Sequence, residues 1–225
     1  MKPSPEIQHT VNQIISEPAK LKNETNLQGM ARFGIATDKA FGIKLPVLRE
    51  IAKPYKSNHD LALALWETGW HECRLLAVFI DDPKHVMENQ MEHWVKDFNS
   101  WDICDQACSF FGKTRFAVQK AFEWTERKPE FEKRAGFALI AWMAVHLKKE
   151  PDKFFLQFLL LIEREACDER NFVKKAVNWA LRQIGKRNAE LNKAALKTSY
   201  KIKQQECNAA RWIANDAIRE LEGKF

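Results

Sequence analysis

Apolar residues recur at intervals of three and four along most of the chain, as in Leu61, Leu65, Leu75, Val78 and Phe79, and again in Ala135, Ala138, Leu139, Trp142 and Val145. Alternating period-two runs are scarce, so the pattern predicts helices and no sheet. Glycine, proline and polar clusters interrupt it at residues 34–46, 53–60, 81–84, 98–100, 128–129, 150–152, 166–171 and 185–188. These breaks divide the chain into roughly a dozen helices of ordinary length.

The second half repeats itself weakly. Segments Phe131–Leu139, Phe172–Leu181 and Glu206–Ala214 can be superposed, with His71–Ala77 as an earlier copy, and the basic residues 134, 175 and 211 fall 41 and 36 apart. Two-helix HEAT or armadillo units of ~40 residues have this spacing, and stacking them lines up equivalent helices along one wall. The expected architecture is therefore all-α: a curved solenoid of HEAT-like two-helix repeats with a concave basic face. One domain is expected over residues 1–225, with 1–29 as an N-terminal helical cap. A compact bundle of merely similar helices is the competing arrangement.

Composition narrows the functional classes. With 45% hydrophobic and 29% charged residues and only 8 Gly and 8 Pro in 225, the chain suits ordered helices better than disorder. The net charge of +6 is weak evidence for an anionic partner, but its distribution says more: residues 170–203 hold ten Lys or Arg against one acid, Glu190. Five cysteines without CxxC pairs, and histidines (His71, His85, His93, His146) without spaced partners, argue against a metal or a disulfide framework and for reduced thiols in the cytoplasm. No apolar run reaches membrane-spanning length, so no membrane partner is expected.

Two helices carry candidate chemistry. In the one beginning near Ser100, Ile103, Ala107 and Phe110 form a core stripe, which leaves Trp101 and Asp105 together on the opposite side. In the one after Asn171, Val173, Val177, Ala180 and Ile184 face inward, while Lys175, Trp179, Arg182 and Lys186 share the far face. A large indole among cations points to contact with a sugar, a base or another protein. Arg134 lies at the edge of a broad apolar face, compatible with a phosphate contact or a plain surface position. In the loop Phe41–Arg49, free backbone N–H groups together with Lys44 and Arg49 are placed to grip a phosphate, with Pro46 in the first turn of the helix that follows.

Taken together, the segments Phe41–Arg49, Leu65–Trp66, His71–Arg74, Ser100–Asp105, Lys133–Ala135 and Lys175–Arg182 resemble the bacterial DNA alkylation repair family of HEAT-like glycosylases over about residues 30 to 220. The resemblance implies that Trp101, Asp105, Trp179 and Arg134 correspond to that family's active-site tryptophans, acid and arginine, although the spacing from Arg134 to Trp179 is longer than the family pattern. It implies a monomeric enzyme, without metal or other cofactor, that excises N3- or N7-alkylated purines from double-stranded DNA without base flipping. Asp105, Trp101 and Trp179 would serve the chemistry, and Arg134, Lys175, Arg182, Lys186, Lys44 and Arg49 the DNA. A bacterial, nucleoid-associated location follows. Two other readings stay open: a non-catalytic binder of damaged or branched DNA, and a HEAT-type scaffold whose basic groove takes an acidic peptide.

Overall fold

The computed structural model describes residues 3–225. Among them are thirteen α-helices, one short 3-10 turn and no strand. The chain divides into two compact units, Met1–Thr114 and Arg115–Phe225.

The first unit contains α1 (Pro5–Lys20), α2 (Glu24–Arg32), α3 (Leu45–Ala52), the 3-10 turn Lys53–Tyr55, α4 (His59–Glu67), α5 (His71–Ile80), α6 (Glu88–Lys96) and α7 (Trp101–Phe111). Side-chain caps start three of these helices: Ser4 Oγ, Asn23 Oδ1 and Asn58 Oδ1 accept from the N–H groups of Ile7, Asn26 and Leu61, each satisfying a donor that the first helical turn leaves open. Helices α3, α5 and α7 pack in succession, α3 against α5 and α5 against α7, with α4 against α5 and α1. Trp66 and Trp94 form the centre of the core, fully buried and stacked with ring centroids 4.0 Å apart. The polar edge of Trp66 is not stranded, because its Nε1 donates to Asp97 Oδ2 at 2.9 Å.

The second unit contains α8 (Ala117–Thr125), α9 (Glu130–His146), α10 (Asp152–Arg164), α11 (Asn171–Gly185), α12 (Ala189–Lys203) and α13 (Asn208–Leu221). Helices α9, α11 and α13 pack in succession, and α8, α10 and α12 pack against them, so sequence repeats become stacked helix pairs. Contacts between successive repeats join residues about forty apart: Arg134 to Phe172, Gln205 to Glu163, Asn178 to Asp216. Gly136 is required where α9 crosses α8, since a Cβ there would lie 2.5 Å from the Thr125 backbone nitrogen. Arg187 closes the C-terminus of α9 by donating to the carbonyls of Ala144 and Leu147, while its guanidinium lies 3.8 Å from the Phe155 ring centroid.

Four connections were not among the sequence-predicted breaks: 21–23, 68–70, 112–116 and 204–207. Each is short, and only 68–70 and 112–116 contain a glycine, so capping and packing end these helices without a strong local signal. The expectation of five reduced thiols is corrected at two positions: Cys167 and Cys207 form a disulfide, with Cα atoms 5.7 Å apart. They lie in the turns before α11 and α13, and repetition brings equivalent turns together, a proximity that linear spacing does not reveal. Cys73, Cys104 and Cys108 are buried and lie outside the disulfide, and burial pushes the Cys73 thiol up to about 11.

Candidate functional site

Helix α7 buries Ile103, Ala107 and Phe110 and leaves Trp101 and Asp105 half-buried, one turn apart. The indole is oriented by its Nε1, which donates to the Phe33 carbonyl at 3.0 Å. The first turn of the helix is tied to α5: Asp102 Oδ2 lies 2.9 Å from His71 Nε2, and the Ser100 hydroxyl donates to Asp102 Oδ1 at 2.7 Å. Burial alone would raise the Asp102 carboxyl, but hydrogen bonding and charge from His71, with help from Ser100 and the Ile103 N–H, hold it below the ordinary carboxylate value.

This pair corrects the sequence view that the histidines lack partners. His71 is 5% exposed and joined to Asp102; His93 meets Glu67 at 2.7 Å, His85 meets Asp82 at 3.3 Å, and His146 stacks on Trp142. The missing signal was tertiary: His71 and Asp102 are 31 residues apart and meet only because α5 and α7 pack side by side.

A second correction concerns the loop before α3. Its N–H groups are not free for a phosphate. Glu72, fully buried, accepts from Phe41, Gly42 and Ile43 at distances between 2.8 and 3.2 Å. The loop therefore forms an anion nest that the protein fills with its own carboxylate. Gly42 is needed there: its φ is +78°, and a Cβ at this position would lie only 2.6 Å from the Asn23 carbonyl oxygen. Lys44 and Arg49 remain exposed, and Arg49 lies 5.4 Å from the Phe79 ring centroid.

In the second unit, α11 buries Val173, Val177, Ala180 and Ile184, exposes Lys175, and leaves Trp179, Arg182 and Lys186 half-buried. With its amide turned to satisfy both neighbours, Gln183 accepts from Trp179 Nε1 and Lys186 Nζ, each at 3.2 Å. The cations of this face are not all unpaired. Arg182 meets Asp216 at 3.1 Å and also Glu220, and Lys186 meets Glu220 at 2.7 Å. Counting charges over residues 170–203 missed these acids because they belong to α13. Burial tends to raise the Glu220 carboxyl, yet Lys186 and Arg182 hold it below its ordinary value. Arg134 departs from the expected helix-edge position: it is 6% exposed and donates to the Phe172 carbonyl at 2.7 Å, because α9 is packed on nearly every side.

The family of DNA alkylation repair enzymes matches this sequence over residues 14–221. The chain belongs to that family. This DNA alkylation repair family member also resembles, at 20% identity and a TM-score of 0.77, a solved protein from a family related to the HEAT-like repeat DNA glycosylases and described as having affinity for branched DNA structures; the match covers 95% of this chain and 97% of the other. That likeness establishes a HEAT-like repeat fold. Among curated proteins, none matches. Among the described residues of the family member, no helix is long and apolar enough to cross a membrane, and no group of three His, Cys, Asp or Glu side chains could hold a metal ion.

Proposed function

We propose that this protein is a monofunctional DNA glycosylase that releases cationic N3- or N7-alkylated purines from double-stranded DNA, acting as a monomer and without turning the base out of the duplex. The observation that carries the reading is α7: an acid and an indole stand half-exposed one turn apart, on a helix whose first turn is fixed by the buried Asp102–His71 pair.

An alkylated purine already carries positive charge and departs as a neutral base, taking the electrons of its bond to the deoxyribose carbon. Positive charge then develops on the sugar. A fixed carboxylate at Asp105 stabilises it and orients the water whose oxygen adds to that carbon, leaving an abasic site and a released proton. Trp101, beside Asp105, offers a π face to the cationic sugar, and Trp179 offers one to the DNA. Lys175, Arg182, Lys186, Lys44 and Arg49 supply phosphate contacts. Arg134, committed to the Phe172 carbonyl, acts by fixing α11 against α9, rather than as an exposed phosphate clamp.

The deciding experiment measures release of 7-methylguanine or 3-methyladenine from methylated duplex DNA. Asp105→Asn should lower the rate by on the order of tenfold or more and leave DNA binding largely intact. Undiminished turnover by that variant would falsify the chemistry. Salt-sensitive DNA binding by the wild type with no base released would favour the second reading, a non-catalytic DNA binder, which the fold similarity to proteins with affinity for branched DNA structures supports.

A further inference from the structure

Helices α11 and α13 stack in register at an offset of 38 residues. Lys174 meets Trp212, Asn178 donates to Asp216 at 2.7 Å, and Arg182 reaches Glu220. Charge changes along this ladder. At its C-terminal end, Arg182 and Lys186 are matched by Asp216 and Glu220. At its N-terminal end, Lys174, Lys175 and Arg211 make no ion pair with any described residue.

Acids near that end are already engaged. Glu169 accepts from the Ala209 N–H at 3.0 Å, Glu130 accepts from the Phe172 N–H at 3.2 Å, and Asp168 pairs with Arg170 and Lys133. Glu206, exposed in the turn before α13, and the carboxylates of Glu169 and Glu130, which keep their charge when they accept from backbone N–H groups, equal the three cations in number, but none of them pairs with Lys174, Lys175 or Arg211. Trp212 is 41% exposed and has Lys174 Nζ 5.5 Å from its ring centroid, while Lys175 and Arg211 are exposed on the same two helices. The disulfide Cys167–Cys207 joins the turns that lead into both helices and fixes the base of this surface.

We infer that Lys174, Lys175, Arg211 and Trp212 bind a single-stranded segment of DNA, the cations taking phosphates and the indole stacking on an unpaired base. The inference rests on the DNA reading above, takes Lys175 from it, and extends it to Lys174, Arg211 and Trp212. Duplex DNA offers phosphates to the cations, but its base faces are covered by their neighbours. An unpaired nucleotide offers both a phosphate and a free π face, which matches an exposed indole with a lysine against it and two more exposed cations on the same helices.

The test uses the full chain and fluorescence anisotropy with three probes: a short oligothymidylate, a duplex with a single-stranded overhang, and a blunt duplex. Trp212→Ala should weaken binding of the first two about tenfold, leave the blunt duplex unchanged and keep the wild-type melting temperature, while Trp212→Phe retains most of the affinity. Replacing Lys174, Lys175 and Arg211 by Ala should reduce the salt slope for oligothymidylate by about 2. If the wild type binds blunt duplex and Trp212→Ala changes nothing, this inference is wrong and the DNA reading stands. Equal weakening on all three probes overturns the stacking role, and tighter binding of polyglutamate than of oligothymidylate overturns the choice of partner. Failure of the wild type to bind any DNA removes both readings together.

Discussion

In the unit Met1–Thr114 several side chains that join one helix pair to the next are acids, Glu72 fully buried and Asp102 and Asp97 half-buried. Glu72 holds three backbone N–H groups, Asp102 holds His71, and Asp97 takes the Trp66 indole, each across about 31 residues. In the unit Arg115–Phe225 the joining side chains include ion pairs and amides about forty residues apart, such as half-buried Arg182 with Glu220 and buried Asn178 with Asp216. A carboxylate enclosed by backbone donors cannot exchange partners without unfolding its loop. A half-exposed arginine can trade a carboxylate for a phosphate at little cost. The Glu72 carboxylate is thus fixed in place, whereas the Arg182–Glu220 pair has room to exchange partners.

The sharpest way to break this contrast is Glu72→Ala. Removing a buried acceptor strands the N–H groups of residues 41–43, and denaturant unfolding should show a loss of about 3 kcal/mol or more; a loss below about 1 kcal/mol would mean the buried acid is no stronger than a surface pair. Gly136→Ala comes next, because its methyl meets α8 backbone rather than a flexible side chain. We expect about 2 kcal/mol of destabilisation, overpacking exceeding the gain in helix propensity.

Asp102→Asn should cost about 1.5 kcal/mol at neutral pH. Since the folded state holds this carboxyl below its ordinary value, its stabilisation is complete above the unfolded-state value and is lost as pH falls through the folded one. Thermal melts of the variant should accordingly show a shallower acid limb than the wild type. An unchanged limb would remove the Asp102–His71 pair from the account. The smallest effect belongs to Glu220→Gln, within about 1 kcal/mol of wild-type stability, yet it should strengthen duplex binding by releasing Arg182 and Lys186. Weaker binding would show that the ion pair orders those cations for DNA instead of competing with it.

Much of the fold was legible because a helix that buries one face must write a 3.6-residue period into its sequence. The stripe Ile103, Ala107 and Phe110 and the stripe Val173, Val177, Ala180 and Ile184 are enough to place Trp101, Asp105, Lys175 and Trp179 off the core. Pairings between repeats were not legible. Glu72 and Asp102 each stand in the first turn of a helix, and nothing local distinguishes a carboxylate that caps its own helix from one that serves a distant loop or histidine. Arg134 misled for the opposite reason: its helix is apolar on so many sides that an arginine at the apparent edge is enclosed by the next repeat.

The bond between Cys167 and Cys207 closes a covalent ring around α11 and α12. A protease that cuts once inside that ring would leave one molecule in two linked pieces, separable only after a thiol is added. In the chain-entropy model a loop of this size favours the folded state by about 4 kcal/mol, so the redox state of the surroundings sets how readily this half of the protein opens.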